Sequence, residues 1–210
     1  MTTSPFVRPY RPQDRPALDD ICVRTAHNGQ DSRPHYTDPG VFPAAFATPY
    51  AHLEPELVFV LDDGQGHAVG YILGTADTER FAEAFRTTWL PLVADRYPEP
   101  LAPPGTPDEV IAHLLHHPER MVVPELAAYP AHLHIDLLPE WQGSGHGRRL
   151  LRAFLQALQD RGVPAVHLAM ATANTRAAAF YDRMGFHRLD VPEPGAATYL
   201  GRTTKELDRL

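Results

Sequence analysis

Gln142-Gly143-Ser144-Gly145-His146-Gly147-Arg148-Arg149 is the stretch on which the reading of this chain turns. Ahead of it, His132-Leu133-His134-Ile135-Asp136-Leu137-Leu138 alternates polar and apolar residues, the mark of a strand with two unlike faces. Behind it, Gly147 to Arg161 sets Leu150, Leu151, Phe154, Leu155 and Leu158 on one helical side, and Gly162 ends the pattern. A strand, a glycine turn and an amphipathic helix in that order suit an anion site, and the same residues equally suit a plain glycine-rich turn. The first amide N–H groups of a helix lack internal partners and carry about half a positive charge, and glycines let a phosphate come close. Arg148 and Arg149 add fixed charge at the same end. A P-loop would need Lys followed by Ser or Thr here, and a dinucleotide fingerprint would need GxGxxG with an acidic residue ending the next strand. The chain offers Arg148-Arg149, GxGxG and Ala169-Met170 instead, so a nicotinamide oxidoreductase fits poorly.

Working outward, Phe6 to Tyr10 reads as a strand, and Pro12, Asp14 and Pro16 suit a turn into a helix from Pro16 to His27. Asn28 to Pro49 reads as a long loop with a short helix around Val41 to Phe46. Glu56 to Leu61 and Ala68 to Thr75 form a hairpin around Asp62-Asp63-Gly64-Gln65-Gly66. From Thr78 to Asp95, Phe81, Phe85, Trp89 and Leu92 recur at helical spacing. Pro98 to Pro107 holds five prolines in ten residues and must be a non-helical connection, leading to a helix from Asp108 to His116. Past the central helix come a buried strand from Ala165 to Met170, a helix from Thr175 to Met184 and a last strand from Ala196 to Leu200.

Among the 210 residues 43% are hydrophobic and 21% charged, ordinary usage for one soluble domain spanning 1–210. No apolar run has the length of a membrane span, and Met1 to Tyr10 has no leader-like stretch, so the expected setting is cytoplasmic, away from membranes. A net charge of -7 argues against nucleic acid as a partner, which needs a cationic face. Twelve histidines are scattered, with no HExxH spacing, and no metal is expected. The single cysteine, Cys22, reads as a buried structural thiol.

Two motifs together resemble the Gcn5-related N-acetyltransferase (GNAT) superfamily. Gln142, Gly145 and Gly147 match its central signature between a strand and a helix. Asn174 and Phe180-Tyr181-Asp182-Arg183-Met184-Gly185-Phe186 match the second, and Val7-Arg8-Pro9-Tyr10-Arg11-Pro12-Gln13-Asp14 looks like the family's opening. Tyr10-Arg11-Pro12, Pro49-Tyr50, Leu53-Glu54-Pro55-Glu56-Leu57 and His134-Ile135-Asp136 are further similar to the acetyltransferase-like C-terminal domains of O-GlcNAcases and their bacterial relatives. The resemblance implies an α/β fold with a mixed, mostly antiparallel twisted sheet of about seven strands and helices on both faces. It implies transfer of an acetyl group from acetyl-coenzyme A to an amine of a small molecule, peptide or protein, by a monomer or homodimer. A catalytically silent acetyl-coenzyme A-binding or interaction module is the other class it allows.

By that resemblance, backbone groups of Leu137 and Leu138 would hold the pantetheine arm as an added strand. Gln142, Gly143, Ser144, Gly145, His146, Gly147 and Arg148 would surround the pyrophosphate, and Asn174 and Tyr181 would also contact the cofactor. Asn174 equally suits a helix N-cap. Tyr181, seven residues on and therefore on the same helix side, is the expected proton donor to the departing thiolate. His132, His134 and Asp136 share one strand face, and Asp136 is the favoured general base with His134 next. His27, Asn28, Asp31, His35 and Tyr36 are loop residues that either line an acceptor pocket or make turns.

Overall fold

The structure, a computed structural model, describes residues 4–205 and Leu207. Seven strands form one sheet: β1 (Phe6–Pro9), β2 (Phe59–Asp62), β3 (Ala68–Thr75), β4 (Ala131–Leu137), β5 (Ala165–Ala171), β6 (His187–Arg188) and β7 (Ala197–Thr203). Their order is β1-β2-β3-β4-β5-β7-β6, and only β4 and β5 run parallel. The helices are α1 (Arg15–Thr25), α2 (Val41–Phe46), α3 (Thr48–Leu53), α4 (Thr78–Ala84), α5 (Leu90–Val93), α6 (Pro107–His116), α7 (His146–Asp160) and α8 (Thr175–Arg183).

Alternation along β3 sorts the helices onto the two faces of the sheet. Tyr71 points to Cys22 of α1, while Gly74, three residues on and therefore opposite, lies under Phe154 of α7. A Cβ at Gly74 would sit 2.6 Å from Phe154 and against the His132 carbonyl, so only glycine lets β3, β4 and α7 close up. Leu150, Leu151, Phe154, Leu155 and Leu158 are all fully buried, as their spacing predicts. On the first strand Arg8 is buried between Asp14 at 2.6 Å and Asp62 at 2.8 Å. That triad ties β1 to the Pro12–Asp14 turn and to the end of β2.

Four local expectations are corrected. The loop predicted to run to Pro49 stops at Ala47, because α3 starts at Thr48, whose hydroxyl donates to Asp19 of α1 at 2.8 Å, and buries Tyr50. Pro49 is no obstacle, since proline is tolerated in a first helical turn. Glu56 and Leu57 lie in a 3-10 turn, Pro55–Leu57, and the strand starts at Phe59. The helix expected over Thr78 to Asp95 opens into a π turn at Phe85–Trp89, which lets Trp89 Nε1 donate to the Ala44 carbonyl at 2.8 Å. The short edge strand β6 had no signal of its own, and β7 continues past Leu200 to Thr203.

Candidate functional site

The parallel pair β4 and β5 is in register only at Ala131 with Val166 and His132 with His167, and beyond those residues the strands part. Leu138 N–H donates to Val69 at 3.1 Å, which fixes the phase of β4. Alternation then turns the backbone groups of Ile135 and Leu137 toward the gap. The Leu137 carbonyl is taken by Gln142 Nε2 at 2.7 Å, leaving its N–H and Ile135 on an open edge. Leu138 is engaged within the chain, its N–H with Val69 and its carbonyl with Trp141 N–H at 2.9 Å.

Gly143 and Gly145 both have φ of 80°, a left-handed conformation that favours glycine, and each has open space where a Cβ would stand. Their turn delivers the chain into α7, whose first N–H groups, on His146, Gly147 and Arg148, have no helical carbonyl behind them. A cleft of ≈720 Å³ opens from this point. It is lined by Leu137, Gln142, Gly143, Gly145, Gly147, Arg148, Asn174 and Tyr181, together with Asp136 and Ile135. Ser144 and His146 do not line it: Ser144 is exposed on the turn, and the buried His146 ring lies 6.0 Å from Trp141. Arg149 also turns away and donates to the Pro5 carbonyl at 3.0 Å. Arg176 and Arg183 of α8, which the motif reading passed over, line the cleft beside Arg148. Their signal was present as two cations seven residues apart on one helix side.

Asn174 caps α8 by accepting from Ala177 N–H at 3.1 Å and borders the cleft as well. Tyr181 is buried, and burial, then the nearby Asp136 charge, pushes its phenol well above the usual range. Asp136 accepts from Tyr71 Oη at 2.8 Å. Burial raises its carboxyl, and that hydrogen bond only partly opposes the effect. An acid with a raised pKa and a phenol that keeps its proton therefore share one cavity.

His134 lies elsewhere, in a second pocket of ≈80 Å³ between β4 and β5, with Phe46, Tyr50, Arg120, His132, His167 and Tyr199. A hydrogen-bond chain orders it. Thr78 Oγ1 donates to the Pro130 carbonyl and meets His132 Nδ1, each at 2.8 Å. Tyr50 Oη bridges His132 Nε2 at 2.7 Å and His134 Nε2 at 3.0 Å. Every contact is satisfied when His132 Nδ1–H donates to Thr78, Tyr50 donates to His132 and His134 Nε2–H donates to Tyr50. The His134 Nδ1 lone pair is then left as an acceptor. Burial first, then the Arg120 charge, pushes His134 down to about 4, so the imidazole is neutral.

Of the loop residues, Asn28 lines the larger cleft, with φ of 52°. His27 and His35 stack on each other at 3.8 Å, Asp31 pairs with Arg33, and Tyr36 meets Phe42 edge-on. Among the described residues Glu99, His113 and His117 bring ligand-type atoms within 4.8 Å of one another, away from the lining of either pocket. No described helix is long and apolar enough to cross a membrane.

Residues 27–186 match the acetyltransferase (GNAT) family. The chain belongs to that family. The crystal structure of SsHAT is similar to this GNAT chain at 71% sequence identity and a TM-score of 0.95, covering 97% of this chain and 100% of that one. The Protein O-GlcNAcase of Rattus norvegicus is 24% identical over 201 residues, which are 94% of this chain but 22% of that protein. This GNAT chain therefore spans about a fifth of the O-GlcNAcase it matches. The PaiA N-acetyltransferase of Thermoplasma acidophilum, solved in complex with coenzyme A, shares the fold at 12% identity and a TM-score of 0.59, over 96% of this chain and 99% of that one.

Proposed function

We propose that this chain is a single GNAT domain that transfers the acetyl group of acetyl-coenzyme A to the nitrogen of an amine. The observation that carries the reading is the cleft itself, where a glycine-started helix, an unpaired strand edge, a half-buried carboxyl and a buried phenol meet. The residues fit the cosubstrate part by part. Free N–H groups at the start of α7, with Arg148, Arg176 and Arg183, suit the phosphates. The Leu137 N–H and Ile135 edge suits the amides of the pantetheine arm. Acetyl-coenzyme A supplies a thioester whose carbon accepts the amine.

His134 and Ile135 are consecutive on β4 and line the smaller and the larger pocket respectively, and we place the entry of the amine at the smaller one. His134 Nδ1 accepts one amine N–H and aims the nitrogen lone pair at the thioester carbon. As the N–C bond forms, Asp136 takes the amine proton, and its raised pKa makes it a stronger base than an ordinary carboxylate. When the C–S bond breaks, Tyr181 gives its proton to the sulfur, so the products are the amide and the free thiol. The proton held by Asp136 then restores Tyr181 through solvent. Acetyl-coenzyme A and the amine are the only partners this chemistry needs, and a monomer or homodimer in the cytoplasm is part of the proposal.

The test is calorimetric binding of acetyl-coenzyme A followed by turnover on a panel of amines. Tight binding with release of free thiol dependent on an amine supports the reading. Binding without turnover on any amine would identify a silent acetyl-coenzyme A-binding module instead.

A further inference from the structure

The smaller pocket is unusual in its charge. Arg120 is the only permanently charged side chain that lines it, and no Asp or Glu does. Arg120 Nε donates to the Leu114 carbonyl at 3.1 Å, and its guanidinium lies 5.5 Å from the Phe46 ring centre. Among the described residues no carboxylate forms an ion pair with it. Glu119, its chain neighbour, is already held by Arg86 and by His117. The remaining polar groups are the Tyr199 phenol, the imidazoles of His132, His134 and His167, which burial keeps neutral, and the Tyr50 phenol, which burial keeps protonated. His167 Nδ1 donates to the Tyr129 carbonyl at 2.7 Å, so its other nitrogen is an acceptor.

Arg120 is exposed at the pocket mouth, where the flanking Glu119 acts on it through space but makes no direct ion pair, so a ligand carboxylate supplies the close partner that its own chain does not. The same surroundings are hostile to a polyamine, whose ammonium groups would meet Arg120 and find no acid. They also hold a nearby amine in its neutral, nucleophilic form, because a like charge lowers an amine pKa. The small volume suits a compact polar end rather than a protein segment.

We propose that the acceptor is an amino-carboxylate, with the nucleophilic nitrogen a few bonds from a carboxylate that Arg120 binds in this pocket. The inference rests on the acceptor entering here, the placement made above. Planar guanidinium and carboxylate match as a two-pronged pair, which fixes the acceptor's orientation and turns its nitrogen toward His134 and the gap between the strands.

The probes are α-, β- and γ-amino acids and their carboxamides, titrated calorimetrically onto the coenzyme A-loaded protein, with turnover on acetyl-coenzyme A measured separately. At least one amino-carboxylate should bind about 10- to 100-fold more tightly than its carboxamide, the range of a charge-assisted contact. Arg120→Leu should erase that ratio and Arg120→Lys should restore part of it, while both variants keep wild-type coenzyme A affinity as proof of folding. Equal affinity for acids and amides, or preference for polyamines, overturns the inference whatever the turnover. An acid preference without turnover upholds it and counts against the transferase reading alone.

Discussion

Tyr181 and Asp136 show how burial tunes two oxygen acids for opposite work. Each charged form is penalised by desolvation, and Asp136 adds its own charge to the cost of ionising Tyr181. The phenol stays a donor at any working pH. Tyr181→Phe keeps the ring between Phe180 and Phe186 but removes the proton. Turnover should fall by about 10²-fold while acetyl-coenzyme A affinity stays within experimental error; unchanged turnover by steady-state kinetics would reduce Tyr181 to packing. Asp136 must be ionised to act as base, so the acid limb of the rate profile should lie above the ordinary 3.8. The stability sign runs the other way. A carboxyl whose folded pKa is raised stabilises fully below its unfolded value and loses that contribution as pH rises through the folded one. Asp136→Asn still offers an acceptor to Tyr71 and should therefore melt higher than wild type at neutral pH while losing most of its activity. A lower melting temperature would show that the bonds of the carboxylate to Tyr71 and Thr25 outweigh the cost of burying its charge.

At the level of elements, the strand, glycine turn and helix around Gly145 were legible because every part of the signal is local: a period of two, glycines where φ is positive, then a period of 3.6. Gly145→Ala places a methyl group in open space and costs only the left-handed backbone, about 1–2 kcal/mol, whereas Gly145→Asp also puts a negative charge beside the α7 amides. The alanine variant should retain measurable coenzyme A binding and the aspartate variant should lose it. Equal affinities would remove the phosphate from this turn. What the sequence hid is non-local. The π turn at Phe85 exists because Trp89 reaches Ala44, forty-five residues away, and Arg8 finds Asp62 across fifty-four. Arg120 sits in a proline-rich segment without periodicity, and nothing in it foretells a pocket formed with β4, β5 and α3. The Arg8 triad carries its own prediction. Its guanidinium holds Asp14 and Asp62 below their ordinary pKa despite burial, so the stability they add is present above about pH 3.8 and lost as pH falls through the lower folded values. Arg8→Leu leaves two buried carboxylates without a cation and should cost about 3–5 kcal/mol in urea denaturation at pH 7. A cost under about 1 kcal/mol would mean that the Gly64 and Gly66 amides satisfy Asp62 alone.

Across the whole molecule, charge is distributed against its own sum. The chain carries a net -7, yet Arg148, Arg176 and Arg183 converge on the cleft at the start of α7. A polyanion is thus drawn to that cleft and repelled elsewhere. Binding only to the folded state stabilises it by mass action, about 2.7 kcal/mol at a ligand concentration 100 times Kd. For a chain of this size each kcal/mol raises Tm by about 2–4 °C, so saturating coenzyme A should shift the thermal midpoint by about 5–11 °C. Oxidised nicotinamide dinucleotide at the same concentration should shift it far less, because the turn has GxGxG and no acidic residue at the end of β5 to hold a ribose. Arg176 and Arg183 are surface cations at the cleft. Replacing both with alanine should leave the unliganded midpoint nearly unchanged while shrinking the coenzyme A shift and its dependence on salt. Differential scanning fluorimetry from low to high salt distinguishes the outcomes. A full-sized shift in the double variant would assign the phosphates to the α7 amides and Arg148 alone, and a comparable shift with the dinucleotide would remove coenzyme A selectivity from the cleft.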